Sequence, residues 1–201
     1  MSSPVHISTM SGKLEGFKAI STNTLTNNFC VKMNTAKKET ICSHCYSHSM
    51  LKGYRKNTAP ALQRNSDLLS SNFLFDAKLP KIKDKYFRFS SHGELINYIH
   101  LCNLVKIAEF NPDTSFALWT KRKDLVNHYL KNHGMFPLNM ILIYSNPEIN
   151  KVMAAPPKGF DRTFNNVTSH PDENCTGQKC KDCLLCYTVG NNVTTIIEKV
   201  K

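Results

Sequence analysis

The chain has 201 residues, of which 41% are hydrophobic and 20% are charged, and its formal net charge is +11. This composition excludes an intrinsically disordered protein, because enough apolar side chains are present to bury a sizeable core. No apolar run approaches the ~20 residues that span a bilayer, so no membrane partner is expected. The N-terminal residues lack the apolar stretch of a signal peptide, and we therefore expect a cytoplasmic protein.

The positive charge comes from 26 Lys and Arg residues against 15 Asp and Glu residues. This balance favours a polyanionic partner such as nucleic acid, or an anionic substrate. Because the lysines are spread over many segments, a solvated basic surface without such a partner fits the charge equally well.

The first half of the chain predicts two strands separated by a helix. Residues 17–21 (FKAIS) predict a short buried strand, and the polar stretch after it predicts a loop leading to Cys30. Residues 54–75 have apolar positions at helical spacing. Residues 86–89 (YFRF) predict a second strand, which ends in a Ser-Ser-His-Gly turn.

The second half alternates between helices and strands. The pattern predicts helices over residues 95–110 and 123–134, and strands over residues 114–120, 139–145, 162–168 and 193–200.

Alternation of strands and helices predicts parallel strands joined by crossover helices. Five to six strands are too few for a closed eight-stranded barrel. The predicted fold is therefore α/β, either a partial (β/α) barrel or an open sheet. Residues 1–170 would form this domain, and residues 171–201 would form a cysteine-rich metal knuckle packed on it.

Three of the eight cysteines, Cys30, Cys42 and Cys45, lie near the N-terminus. A reducing cytosol favours metal-bound thiolates over disulfides. Three thiolates would hold a [4Fe-4S] cluster with one iron left open, whereas His44 or His48 would complete a zinc site. Unliganded thiols are the third interpretation.

Four further cysteines, Cys175, Cys180, Cys183 and Cys186, follow the pattern C-x4-C-x2-C-x2-C. Three ligands from one short loop favour a [4Fe-4S] cluster, with zinc as the alternative. Full ligation by four thiolates predicts a structural or electron-relay role. The eighth cysteine, Cys102, lies in a helical apolar pattern and is predicted to be a buried free thiol.

Ligands of open α/β sheets bind at the carboxyl ends of the strands, where we expect the first cysteine group and several polar residues to meet. The candidate residues at the strand ends are His92, Gly93 and Glu94 after the second strand, Thr120 and Lys121 after the third, and Ser145 after the fourth. Arg88, on the second strand, would pair with a carboxylate or lie on the surface. Glu94 would also suit the first turn of the following helix.

The segments CSHCY, FRFSSHGEL, FALWTKR and CTGQKCKDCLLCY together span most of residues 30–187. With them the chain resembles the phage "gene product 88" family of radical-SAM-like iron–sulfur proteins. In radical S-adenosylmethionine enzymes a strand leads to a three-cysteine loop, and a second strand ends in a Gly-Gly-Glu-like turn. His92 stands here where the first glycine of that turn usually does. The usual spacing is C-x3-C-x2-C, whereas eleven residues separate Cys30 from Cys42.

The resemblance implies that Cys30, Cys42 and Cys45 hold a [4Fe-4S] cluster whose open iron binds S-adenosylmethionine. Gly93 and Glu94 would bind the amino group of that cofactor. The implied activity is reductive cleavage of S-adenosylmethionine to a 5′-deoxyadenosyl radical, with an external electron donor, an auxiliary C-terminal cluster and an unknown substrate. If the chain is phage-encoded, the host cytoplasm is the expected location.

A second interpretation is a non-catalytic nucleic-acid-binding protein. Its iron–sulfur or zinc sites would then stabilise the fold, and its lysines would contact phosphates. A basic enzyme that acts on nucleic acid would combine the two interpretations.

Overall fold

The computed structural model describes residues 3–200, and a single seven-stranded sheet runs through its centre. The order of strands across the sheet follows their order in the chain. The strands are β1 (Ser8–Thr9), β2 (Lys18–Ile20), β3 (Tyr86–Phe89), β4 (Ser115–Thr120), β5 (Met140–Ile149), β6 (Arg162–Val167) and β7 (Thr195–Lys199). β1 is antiparallel to β2, and each later strand is parallel to the one before it.

Within residues 3–200, six α-helices accompany the sheet. They are α1 (Asn28–Thr35), α2 (Tyr46–Lys52), α3 (Ala59–Ser71), α4 (Tyr98–Phe110), α5 (Lys123–His133) and α6 (Cys180–Cys183). Short 3-10 helices cover Gly12–Leu14, Lys56–Thr58 and Asp76–Lys78. Across residues 3–200, no helix has both the length and the apolar character needed to cross a membrane.

The sheet has two differently covered faces, because side chains alternate along a strand. Phe87, Phe89, Phe116 and Leu118 belong to the larger core, which also contains apolar residues of α3, α4 and α5. On the opposite face, Ala117, Trp119, Ile141 and Ile143 form a smaller core with Phe17 and Tyr187. We call this second face the cysteine face, since Cys180 and Cys186 pack against it.

The structure confirms the predicted mixed α/β class with mostly parallel strands joined by helices. All six predicted strands are present, four of them within narrower bounds and β3 with the predicted bounds. The helix predicted over residues 54–75 begins only at Ala59, next to a proline that suits a first helical turn, and ends at Ser71. Phe73, which falls inside the predicted helix, lies beyond the observed one and is 59% exposed.

Two further boundaries were wrong. The strand predicted to end before Pro147 continues to Ile149, with a register shift after Ser145 that accommodates a residue lacking an N–H donor. The helix predicted from residue 95 begins at Tyr98, because the Asn97 side chain caps it by accepting from the backbone N–H of His100.

The segment between β6 and β7 carries the C-terminal cysteines and packs onto the amino ends of the strands. The hydroxyl of Ser115, the first residue of β4, donates to the Tyr187 carbonyl at 2.6 Å. Arg162, the buried first residue of β6, donates to the carbonyls of Leu185 and Thr188. These contacts attach the cysteine segment to the sheet through its backbone.

The same segment also joins the two edges of the sheet. Lys13, between β1 and β2, contacts both the Glu198 carboxylate of β7 and the Cys175 sulfur, the latter at 2.9 Å. Lys179 pairs with Glu15 at 2.6 Å. Residues near both ends of the chain are thereby brought together across the cysteine segment.

Replacement of the buried guanidinium should loosen this segment. We expect Arg162→Met to lower the free energy of unfolding by about 2 kcal/mol, because two charge-assisted hydrogen bonds are lost. Relative to the wild type, amide hydrogen exchange at Tyr187 and Thr188 should become faster, with exchange in α4 as the internal reference. Arg64→Met, at an exposed position of α3, is the control and should change neither quantity. Unchanged exchange in Arg162→Met would contradict the attachment.

Candidate functional site

The structure brings the first cysteine group next to the turn that follows β3. Cys30 lies in the first turn of α1, and Cys45 is the residue that precedes α2. The Asn27 side chain caps α1 by accepting from the N–H groups of Phe29 and Cys30, at 3.0 and 3.2 Å. Its amide donates to the Glu94 carbonyl at 2.8 Å. One side chain therefore links the first cysteine to the Glu94 backbone.

The loop that carries Cys42 is held by a different strand. The backbone N–H of Ile41 donates to the carbonyl of Pro147, in the irregular part of β5, at 3.0 Å. The Asn34 amide donates to the Cys42 carbonyl at 2.8 Å, which joins this loop to α1. The three cysteines thus come from two helix starts and one turn, all at the carboxyl ends of the strands.

The electrostatics of this group reflect burial and close approach. Burial raises the pKa of Cys30, and the neighbouring charges of Glu94 and Cys45 raise it further. Burial likewise raises the pKa of Cys42. The Lys121 ammonium acts in the opposite direction on both thiols. Without a bound cation the Cys30 and Cys42 thiols are therefore protonated at neutral pH.

Glu94 is almost fully buried, and its carboxylate connects β3 to β4. Oε1 accepts from the Thr120 hydroxyl at 2.5 Å and from the backbone N–H of Leu95 at 2.7 Å. Oε2 accepts from the backbone N–H of Lys121 at 2.7 Å. The alternative assignment of Glu94 to the first turn of a helix was wrong, because α4 begins four residues later, at Tyr98.

Lys121 was noted in the sequence as a polar strand end, but its central position at this site was not predicted. Its ammonium donates to the Ser145 hydroxyl at 3.0 Å, so these two strand-end residues meet. Burial alone lowers the pKa of Lys121, but the nearby Cys42 sulfur and Glu94 carboxylate outweigh it, and the net shift is upward. The sequence signal that could have indicated this position is the Lys121-Arg122 pair directly after a buried strand.

His92 and Gly93 belong to a chain of hydrogen bonds with α2 and the residues after β2. The backbone N–H of Gly93 donates to the Thr24 hydroxyl at 2.9 Å, and Thr24 and Ser47 share a hydrogen bond of 2.6 Å. Ser47 Oγ lies 2.8 Å from His92 Nδ1. Burial lowers the pKa of His92 to about 4, so the imidazole is neutral at pH 7.

Arg88 and Tyr46 lie on the cysteine face beneath this turn. The Arg88 guanidinium is stacked on the Trp119 ring, 3.8 Å from its centroid. Tyr46 remains 59% exposed, although its hydroxyl donates to the Ser91 carbonyl at 2.9 Å. Tyr46 is therefore anchored at its tip while its ring stays accessible to solvent next to Cys45.

The four C-terminal cysteines line one small pocket with a cavity volume of about 20 Å³. Two side chains donate to their sulfurs: Lys13 to Cys175 at 2.9 Å, and Gln178 to Cys183 at 3.4 Å. Burial raises the pKa of Cys175 and Cys180, and raises that of Cys186 to about 12. The second group therefore converges on a common space at the amino ends of the strands.

All eight cysteines lie within the described residues, and none forms a disulfide. Cys102 is half-buried and packs against the larger core, away from both groups. Over residues 3–200, no three or more Cys, His, Asp or Glu side chains are arranged closely enough to hold a metal ion.

These features define a class: a mixed α/β protein with a mostly parallel sheet and a cysteine group near each end of its strands. A family model described as Gene product 88 matches residues 8–182, from β1 into α6. The chain belongs to the gene product 88 family, as the sequence motifs predicted. No curated protein and no solved structure matches it.

The Gly93 position admits no side chain. Its φ of +74° is in the left-handed region, and an added Cβ would lie 2.2 Å from the Thr22 hydroxyl oxygen and 2.7 Å from the Thr22 carbonyl oxygen. Gly190 has a similar φ of +76° with no atom within 4 Å of an added Cβ. Alanine substitutions at the two glycines therefore distinguish the cost of an unfavourable φ from the cost of steric overlap.

We expect Gly93→Ala to lower the free energy of unfolding by about 3 kcal/mol, since it combines an unfavourable φ with overpacking against Thr22, two residues after β2. Gly190→Ala should cost about 1 kcal/mol, because only the φ penalty applies. Urea denaturation of both variants measures the difference. Equal costs for the two substitutions would show that the turn after β3 relaxes without strain.

Proposed function

We propose that this protein is a radical S-adenosylmethionine-like enzyme with a [4Fe-4S] cluster held by Cys30, Cys42 and Cys45. The observation that carries the proposal is the meeting of these cysteines with the His92–Gly93–Glu94 turn, through Asn27 and the Ser47–His92 contact. A parallel sheet whose strand order follows the chain is compatible with a partial (β/α) barrel of the radical-SAM type. The resemblance of the cysteine and Gly-Glu motifs supports the same assignment.

The donor set fits an iron–sulfur cluster chemically. Thiolates are the usual ligands of such clusters, and they must lose their protons to bind. The raised pKa of Cys30 opposes this loss, while the nearby Lys121 ammonium favours it. The role of Lys121 in the proposal is thus to offset the negative charge that three thiolates bring to a buried site.

The remaining residues would position the cofactor. Glu94 Oε2 accepts a single hydrogen bond, so the carboxylate retains acceptor capacity for an amino group. Thr120 holds Glu94 in place, and Ser145 keeps a hydroxyl proton free to donate after accepting from Lys121. When bound, the cluster and S-adenosylmethionine would supply reductive cleavage and hydrogen abstraction, with an electron from an external donor.

The C-terminal cysteines would hold a closed auxiliary site. Four sulfurs around one pocket leave no ligand position open, which suits a structural or electron-relay role. A [4Fe-4S] cluster is the proposed occupant, and zinc is the alternative. The positive charge of Lys13 beside Cys175 would balance part of the thiolate charge.

Anaerobic reconstitution with iron and sulfide tests both sites. We expect about eight iron atoms per wild-type chain, and about four in Cys30→Ala/Cys42→Ala/Cys45→Ala. The triple variant should also lose any change in the electron paramagnetic resonance spectrum on addition of S-adenosylmethionine. Cys180→Ala/Cys183→Ala should lose iron but keep that response, and Cys102→Ala is the control that keeps both. Tightly bound zinc at both sites, with no iron, would overturn the proposal.

The second candidate is nucleic-acid binding, either without catalysis or as the means of recognising a substrate. Lys32, Lys37, Lys52 and Lys56 are exposed on and around α1 and α2, the helices that carry the first cysteine group. Together with the net charge of +11, they place accessible positive charge beside the site.

For this candidate, DNA and RNA affinity should fall steeply with salt, since phosphate contacts release counterions. Lys32→Gln/Lys37→Gln should reduce the slope of log K against log salt by about two. Lys131→Gln/Lys158→Gln, at exposed positions outside α1 and α2, is the charge-matched control and should leave the slope unchanged. A fluorescence anisotropy titration without salt-dependent binding would eliminate nucleic acid as the partner.

A further inference from the structure

Arg88 is a cation on the cysteine face with no carboxylate partner in the part of the chain described. Its Nε atom is buried and makes no hydrogen bond there. Over residues 3–200, no Asp or Glu carboxylate comes within 4 Å of its guanidinium. A buried donor without an acceptor costs about 1–3 kcal/mol, so this arrangement is unfavourable unless something else accepts its hydrogen bonds.

The surrounding residues hold the guanidinium in place without satisfying it. Stacking on Trp119 fixes the plane of the group and leaves its N–H edge unused, because the ring contacts only its face. In register beside Arg88 lie Ala19 on β2 and Ala117 on β4, whose methyl groups occupy little of the cysteine face. The Tyr187 hydroxyl lies next to Arg88 and is a second buried polar group that makes no well-aligned hydrogen bond among residues 3–200.

The acidic residues nearest this region are engaged elsewhere. Glu94 accepts from Thr120 and from two backbone N–H groups. Glu198 is paired with Lys13 at the edge of the sheet. The positive charge of Arg88 is therefore not neutralised by either carboxylate.

The position of Arg88 lies between the two cysteine groups. The Trp119 ring on which it stacks belongs to the smaller core that Cys180 and Cys186 contact, and the Tyr46 hydroxyl, next to Cys45, donates to the carbonyl of Ser91, three residues after Arg88. Arg88 is the next-to-last residue of β3, so it lies roughly 3 Å inside the strand end, beneath the His92–Glu94 turn. An anion at this point would lie beside the proposed cofactor site and would not coincide with its ligands.

We propose that Arg88 is the anchor of a substrate subsite that binds an oxyanion, the carboxylate or phosphate group of a small molecule, on the cysteine face. A guanidinium edge matches two oxygens of either group by paired hydrogen bonds. Trp119 orients the guanidinium, and the Tyr187 hydroxyl is available as a further donor. That the bound anion belongs to a substrate rests on the proposed function, whereas the binding of an anion at Arg88 does not.

The direct test is nuclear magnetic resonance of the arginine side-chain Nε–H groups in ¹⁵N-labelled protein, prepared both without iron and after reconstitution. The probes are inorganic phosphate and malonate, with chloride at matched ionic strength as the reference. We expect a saturable shift of the Arg88 Nε–H resonance with phosphate or malonate and none with chloride. The probe with the lower dissociation constant identifies phosphate or carboxylate as the group bound.

Variants then assign the binding by isothermal titration calorimetry. Arg88→Gln should weaken it at least tenfold, and Arg88→Lys should weaken it severalfold because a point charge replaces the paired donors. Arg64→Gln, on the exposed side of α3, is the matched control and should bind as the wild type does. Circular dichroism establishes that each variant is folded, and the wild-type resonance shift does not depend on any variant.

Three results would overturn the inference: no saturable oxyanion binding, equal binding by Arg88→Gln, or competition between the oxyanion and S-adenosylmethionine. The last would assign Arg88 to the cofactor carboxylate. A shift of the Arg88 resonance on iron loading that abolishes oxyanion binding would make Arg88 a counter-ion of a cluster, which also contradicts the subsite. Each result is distinct from failure of the proposed function, which is measured by iron content and the response to S-adenosylmethionine.

Discussion

The buried carboxylate of Glu94 determines the arrangement at the carboxyl edge of the sheet. A buried carboxylate is costly unless it is hydrogen-bonded, and here the Thr120 hydroxyl and the backbone N–H groups of Leu95 and Lys121 compensate it. These bonds join the turn after β3 to the carboxyl end of β4. The Glu94 carbonyl accepts from Asn27, which in turn caps the helix carrying Cys30. The relative positions of β3, β4 and the first cysteine group thus depend on one residue.

The elements that the sequence predicted well are those whose apolar residues repeat at a regular spacing. β3, β4 and α5 were placed to within one or two residues because their buried side chains follow the strand or helix period. α1 was missed because it has no fully buried residue and therefore no apolar stripe in its sequence. Its stability comes from the Asn27 cap, which the sequence shows merely as one of several asparagines in a polar stretch.

The sequence predicted which strand-end residues would lie near one another at the candidate site. It did not predict which of them would be in contact. Parallel strands bring Glu94, Thr120 and Ser145 to one edge, and topology alone implies that. The Lys121 ammonium donates to Ser145 and lies close to both the cysteines and Glu94. These contacts depend on side-chain directions, which no local sequence pattern encodes. Gly93 illustrates the same point, because its need for glycine arises from contact with Thr22, on a distant part of the chain.

The two cysteine groups differ in how the fold supports them. The first is held by the Asn27 cap and by turns at the carboxyl ends of the strands, beside the exposed ring of Tyr46. The second surrounds a pocket at the amino ends and is attached by Arg162 and by Lys13, whose partner Glu198 lies 185 residues away in the chain. The cysteine face between them carries Arg88, whose buried Nε–H group has no acceptor. This unsatisfied donor destabilises the fold, and a bound oxyanion would remove that cost.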